Sequence, residues 1–105
     1  MIYNKTPWFA LHAPEIGGKF EEFYRICGEG GVLDKRTKEL LMLAISSIYR
    51  CSDCIEEHLK NALDAGATKE EITETLLIVA VEAGSSQLAW AKELYCKYID
   101  GNNKK

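Results

Sequence analysis

From Glu15 onward the chain alternates stretches of helical periodicity with short polar or glycine breaks, and no stretch shows the apolar–polar alternation of a half-buried strand. Phe20, Phe23, Tyr24 and Cys27 recur at helical spacing and predict a first helix over Glu15–Cys27, closed by Gly28-Glu29-Gly30-Gly31. Asp34, whose side chain can accept from the free amides of a first turn, predicts a second helix running through Tyr49. Ser52 or Asp53 can cap a third, ending at Gly66 after Leu63, Asp64 and Ala65. Thr68 and Glu71 have capping-box spacing for a fourth helix to Gly84, and a fifth is expected from Ser85 or Ser86 to about Tyr98. The prolines, Pro7 and Pro14, both lie before these helices. The expected fold is all-α, one domain over residues 1–105 built as a bundle of about five helices, with an N-terminal segment 1–14 and a frayed polar tail Gly101 to Lys105.

Two of these helices carry more apolar surface than a small monomeric bundle can bury. Leu40-Leu41-Met42-Leu43-Ala44-Ile45 and Leu76-Leu77-Ile78-Val79-Ala80-Val81 cover every face for almost two turns, whereas a surface helix needs one apolar stripe. At roughly 25 cal/mol per Å² of apolar surface, leaving those faces wet forgoes several kcal/mol. A homo-oligomer is the expected remedy.

Composition narrows the partners. A net charge of −3, with acidic and basic residues interleaved, provides no basic stripe for nucleic acid and no polybasic anchor for a membrane. The apolar runs are too short to span a bilayer, and Met1 to Leu11 lacks the pattern of a secretory signal, so a cytoplasmic location is expected. In that reducing setting four cysteines do not suggest a structural disulfide framework, and a Cys-x-x-Cys pair points to catalysis or metal binding.

Such a pair is present as Cys51-Ser52-Asp53-Cys54, with His58 one helical turn beyond the second cysteine and Glu39 twelve residues before the first. Near a helix start, positions i and i+3 bring the sulfurs close enough to bridge, and His58 shares their face. The thiolate is the reactive form, and an ordinary cysteine titrates at about 8.5. A helix N-terminus, an imidazole and Arg50 all favour the anion, while Asp53, Glu56 and Glu57 oppose it.

Glu39, Cys51-x-x-Cys54-x-x-x-His58, the following Ala65-Gly66-Ala67-Thr68-x-Glu70-Glu71-Ile72 and the small-residue junction Ala83-Gly84 resemble the AhpD-like, carboxymuconolactone decarboxylase superfamily over about residues 33–98. The resemblance implies an alkylhydroperoxidase-type oxidoreductase. Cys54 would be the attacking thiol, Cys51 the resolving one, and Glu39 with His58 the proton relay. The substrate would be a peroxide or a disulfide, no cofactor would be required, and an external dithiol, lipoyl-linked in the best-known cases, would reset the bridge. Small members of the superfamily tend to be trimers or hexamers. The chain departs from that branch at Asp53, where the active-site motif has a histidine, which implies a shorter relay.

Three other readings compete. A decarboxylase-like lyase would use Glu39 and His58 in acid–base chemistry without the thiols. A zinc site could take Cys51, Cys54 and His58, with Glu39 or His12 as fourth ligand. In a structural oligomer the two cysteines would be small buried hydrophobes. Cys27 and Cys96 read as core residues, Trp90, Tyr95 and Tyr98 as packing, and Trp8 and Phe9 as a cap over the active-site mouth or a subunit seam.

Overall fold

The computed structural model describes residues 8–101. A short 3₁₀ turn, Trp8–Leu11, precedes four α-helices: α1 (Pro14–Gly28), α2 (Lys35–Tyr49), α3 (Ser52–Asp64) and α4 (Lys69–Tyr98). Among the described residues there is no strand, in agreement with the all-α expectation. The expectations for residues 1–7 and for the tail beyond Gly101 lie outside the described residues.

Helix starts follow the capping chemistry. The Thr37 amide donates to Asp34 Oδ1 at 2.8 Å, and this hydrogen bond holds the Asp34 carboxyl below the usual carboxylate range. The Thr68 hydroxyl accepts from the Glu71 amide while the Glu71 carboxylate accepts from the Thr68 amide, the reciprocal pair that the spacing predicts. Pro14 opens α1, where its missing N–H has no intrahelical partner to lose. Gly66, at φ +96°, turns the chain after α3, with its amide returning to Leu63 O.

Two boundaries differ from the sequence reading. Cys51, rather than Ser52 or Asp53, is the cap of α3. The predicted fourth and fifth helices are one: α4 runs for 30 residues straight through Gly84. A lone glycine costs a helix only about 1 kcal/mol relative to alanine, and neither proline nor turn chemistry follows it here.

The core lies where α2, α3 and the first turns of α4 meet. Leu43, Ala62, Ala67 and Ile72 are buried there, with Leu40, Ile55 and Leu59 packed around them. The 3₁₀ turn rests on α1 because Gly17 has no side chain; a Cβ at that position would collide with Ala10. Phe9 meets Phe20 edge-on at 5.4 Å between centroids, so the N-terminal aromatics pack on α1, while Trp8 itself stays exposed.

The second half of α4 leaves the bundle. At 1.5 Å per residue this helix is about 45 Å long, and the radius of gyration is 19.0 Å, against about 13 Å for a compact chain of this length. Val81, Leu88, Trp90, Leu94 and Tyr98 are all exposed along it. No helix of the described residues is long and apolar enough to cross a membrane.

Candidate active site

The site is built on the α2–α3 hairpin, whose corner is only two residues long. Arg50 takes the left-handed conformation, φ 57° and ψ 39°, and its amide donates to Ser46 O and Ser47 O at the end of α2. A non-glycine residue held there costs on the order of 1 kcal/mol, a strain that the packing of the two helices sustains. The Cys51 amide donates to Ser46 O at 3.2 Å, which fixes where α3 begins. The Cys51 sulfur then accepts from the Cys54 amide at 3.3 Å, the role a serine or aspartate usually fills. Cys51 and Cys54 are joined as a disulfide, with their α-carbons 5.2 Å apart, inside the window such a bridge tolerates. Both are partly exposed, and Asp53 between them faces solvent.

One turn further along α3, His58 meets Glu39 of α2. His58 Nδ1 lies 2.8 Å from Glu39 Oε1, with the side chains only 7% and 3% exposed. A carboxylate can only accept, so Nδ1 donates, and in the neutral form of the ring the basic lone pair is on Nε2. Lys35, one turn before Glu39, places Nζ 3.1 Å from Oε2. Burying the carboxylate is tolerable because both oxygens are engaged, one by an imidazole and one by an ammonium.

The structure thus gathers the four sequence-predicted residues as two pairs. Among the described residues no hydrogen bond joins His58 to either sulfur; a single turn of α3 links the pairs. A cavity of about 340 Å³ opens beside the Glu39–His58 pair, lined among others by Tyr24, Lys35, Glu39, Met42, Glu57 and His58, and by neither cysteine of the bridge. The zinc set does not assemble: among the described residues no three His, Cys, Asp or Glu side chains are grouped to hold a metal ion, and His12 is exposed. Cys27 and Cys96 are both free thiols, and neither is in the core as expected: Cys27 is exposed and Cys96 is partly exposed.

Lys35 and Glu57 were not found in the sequence. Lys35 had a usable signal, since Lys35 and Glu39 stand four apart on one helix face. Glu57 had none: an acidic residue beside Glu56 reads as solvated, yet it is buried next to His58. The capping role of Cys51 was hidden by residue type.

An all-α hairpin scaffold carrying a bridged cysteine pair one turn from a buried glutamate–histidine pair defines the class of protein. Residues 14–95 match the carboxymuconolactone decarboxylase family, and the chain belongs to that family. It is 44% identical over 72 residues to the "Uncharacterized protein 4 in cox locus" of Paracoccus denitrificans, covering 68% of this chain and 65% of that one. It is 35% identical over 83 residues to the alkyl hydroperoxide reductase AhpD of Nocardia farcinica, covering 74% of this chain and 46% of the reductase. The chain therefore spans less than two-thirds of either relative. Among solved structures, a protein of Methanobacterium thermoautotrophicum shares the fold with a TM-score of 0.74 at 30% identity, over 83% of this chain and 98% of that one. A Thermotoga maritima protein does so with a TM-score of 0.60 at 31% identity, over 84% of both.

Proposed function

We propose that this protein is an alkylhydroperoxidase-type thiol oxidoreductase that reduces peroxides, or disulfides, through Cys51 and Cys54. The observation that carries this reading is the bridged pair standing one turn of α3 from the buried Glu39–His58 contact. In the cycle, the Cys54 thiolate attacks the terminal peroxide oxygen, the O–O bond breaks, and a sulfenic acid and an alkoxide form; the alkoxide takes a proton and leaves as an alcohol. The Cys51 thiol displaces hydroxide from the sulfenic acid, giving the disulfide and water. An external dithiol, of the lipoyl type, reopens the bridge by exchange and leaves as its own disulfide. His58 Nε2, oriented from behind by Glu39, is the group that accepts the thiol proton and returns it to the leaving oxygen. A reducing, cytoplasmic compartment would keep that dithiol available.

The test is a challenge of the reduced protein with one equivalent of an alkyl hydroperoxide, read by mass spectrometry of its peptides. Loss of two hydrogens confined to the peptide holding Cys51 and Cys54 is the expected result, and an unchanged peptide overturns the reading. The cavity beside Glu39 and His58, which neither cysteine lines, supports a second reading, an acid–base lyase. That alternative predicts an activity indifferent to thiol alkylation, whereas the redox reading predicts its complete loss.

The active form is, in the same proposal, a trimer or hexamer. Exposed apolar side chains lie on two separate helices, Leu41, Ile45 and Ile48 on α2 and Val81, Leu88 and Trp90 on α4, more than one two-fold contact would cover. Light scattering at micromolar concentration should give three or six times the monomer mass; a monomer would refute the assembly.

A further inference from the structure

The buried carboxylate of the relay is held from two sides, and the second holder has a function of its own. Lys35 Nζ lies 3.1 Å from Glu39 Oε2 and donates as well to Gly28 O, at 3.3 Å, on the last residue of α1. Its neighbour one turn on, Lys38, donates to Glu29 O. Two lysines of α2 therefore grip the carbonyls at the C-terminal end of α1, where a helix presents unpaired acceptors and the negative end of its dipole. Of the two, Lys35 alone also reaches into the relay.

The geometry around Glu39 explains why that reach matters. Oε1 accepts from His58 Nδ1, and Glu39 is among the residues that line the cavity of about 340 Å³. Rotation about the terminal torsion of a glutamate is soft and nearly two-fold, so nothing in the side chain itself keeps Oε1 on the imidazole. The ammonium on Oε2 supplies the missing constraint, because a carboxylate gripped at both oxygens has one orientation. This differs from an ordinary surface ion pair, which contributes little: Lys35 is 52% exposed but its partner only 3%, so the contact is half sheltered and its acceptor cannot turn to water instead.

We infer that Lys35 is a positioning residue for the Glu39–His58 pair, tying the orientation of the imidazole to the docking of α1. Its kinetic consequence rests on the redox reading above, while its geometric one does not. In Lys35→Met, kcat for alkyl hydroperoxide reduction should fall by up to about 100-fold, the scale of a misplacement of about 1 Å at a catalytic group, with KM unchanged. Removing the ammonium leaves an oxygen of a buried carboxylate without its partner, so the melting temperature should fall as well, and should recover in Lys35→Arg. Lys35→Arg, whose guanidinium can reach the same two acceptors, should restore kcat.

The decisive readout is the proton NMR signal of the His58 Nδ1–H. In the unaltered protein it should stand downfield and sharp; in Lys35→Met it should broaden or move upfield, and in Lys35→Arg it should return. An unchanged His58 signal in Lys35→Met overturns the inference, and so does an arginine variant that stays as impaired as the methionine one. If the unaltered protein shows no peroxide turnover, the redox reading falls, and the His58 signal still decides the role of Lys35.

Discussion

Replacing Cys54 by serine is expected to abolish peroxide turnover, lowering it by about 1,000-fold or more, the scale seen when an enzyme loses its nucleophile. A hydroxyl lacks both the acidity and the polarisability of a thiol and does not attack a peroxide oxygen. The same change also removes one half of the bridge. The partner substitution separates these two losses. Cys51→Ser keeps the first chemical step, so it should consume a single equivalent of peroxide and stop with one added oxygen on Cys54, visible by mass spectrometry or by a sulfenic-acid probe. Serine at position 51 also keeps a side-chain acceptor for the Cys54 amide, so the first turn of α3 should survive. If Cys54→Ser turns over at full rate, Cys54 is not the nucleophile. If Cys51→Ser alone is dead to the first equivalent, the two roles are reversed.

Leu43→Ala is expected to be the most destabilising truncation in the core. Leu43 is the one fully buried large side chain among the described residues, and it sits on α2 one turn after Glu39, facing Ala62 and Ile72. It packs among Ala62, Ala67 and Ile72, with Leu40, Ile55 and Leu59 around them, and these side chains relax only partly into a cavity. The loss should be about 3 kcal/mol, the middle of the range for such cavities, which for a chain of this length lowers the melting temperature by on the order of 15 °C. Melts of both proteins at one fixed concentration measure it, since the proposed assembly would also shift the midpoint. A drop of only a few degrees would mean that the stability resides between subunits rather than in this cluster. Because Glu39 and Leu43 share a face of α2, the truncation should also reduce turnover in whatever fraction stays folded.

The extent to which the fold could be read in advance follows from which signals are local. Asp34, Thr68 with Glu71, and Gly66 mark boundaries through hydrogen bonds and backbone conformations that span a few residues, and each of these lies where the sequence places it. Gly84 was misread because a single glycine marks the end of a helix only when its surroundings also resist helix, and the residues around it, Ala83 and Ser85, do not. Cys27 was misread because periodicity shows that a face exists but not whether a neighbour covers it.

The candidate site divides along the same line. The cysteine pair and His58 are neighbours in sequence, so their proximity was legible from spacing alone. Glu39 lies nineteen positions from its partner His58 and could be placed only through the family resemblance. Lys35 adds its contact through the tertiary position of a carboxylate that its own helix buries, and Glu57 is buried beside His58 with no pattern to announce it.

The position of Cys51 at the head of α3 has a mechanical consequence. With α-carbons 5.2 Å apart and the first cysteine held to Ser46 by its own amide, breaking or making the bridge needs side-chain torsions only. No hinge has to swing and no segment has to unfold between the two oxidation states. In the proposed cycle, electrons would then enter and leave across a platform whose backbone stays in place.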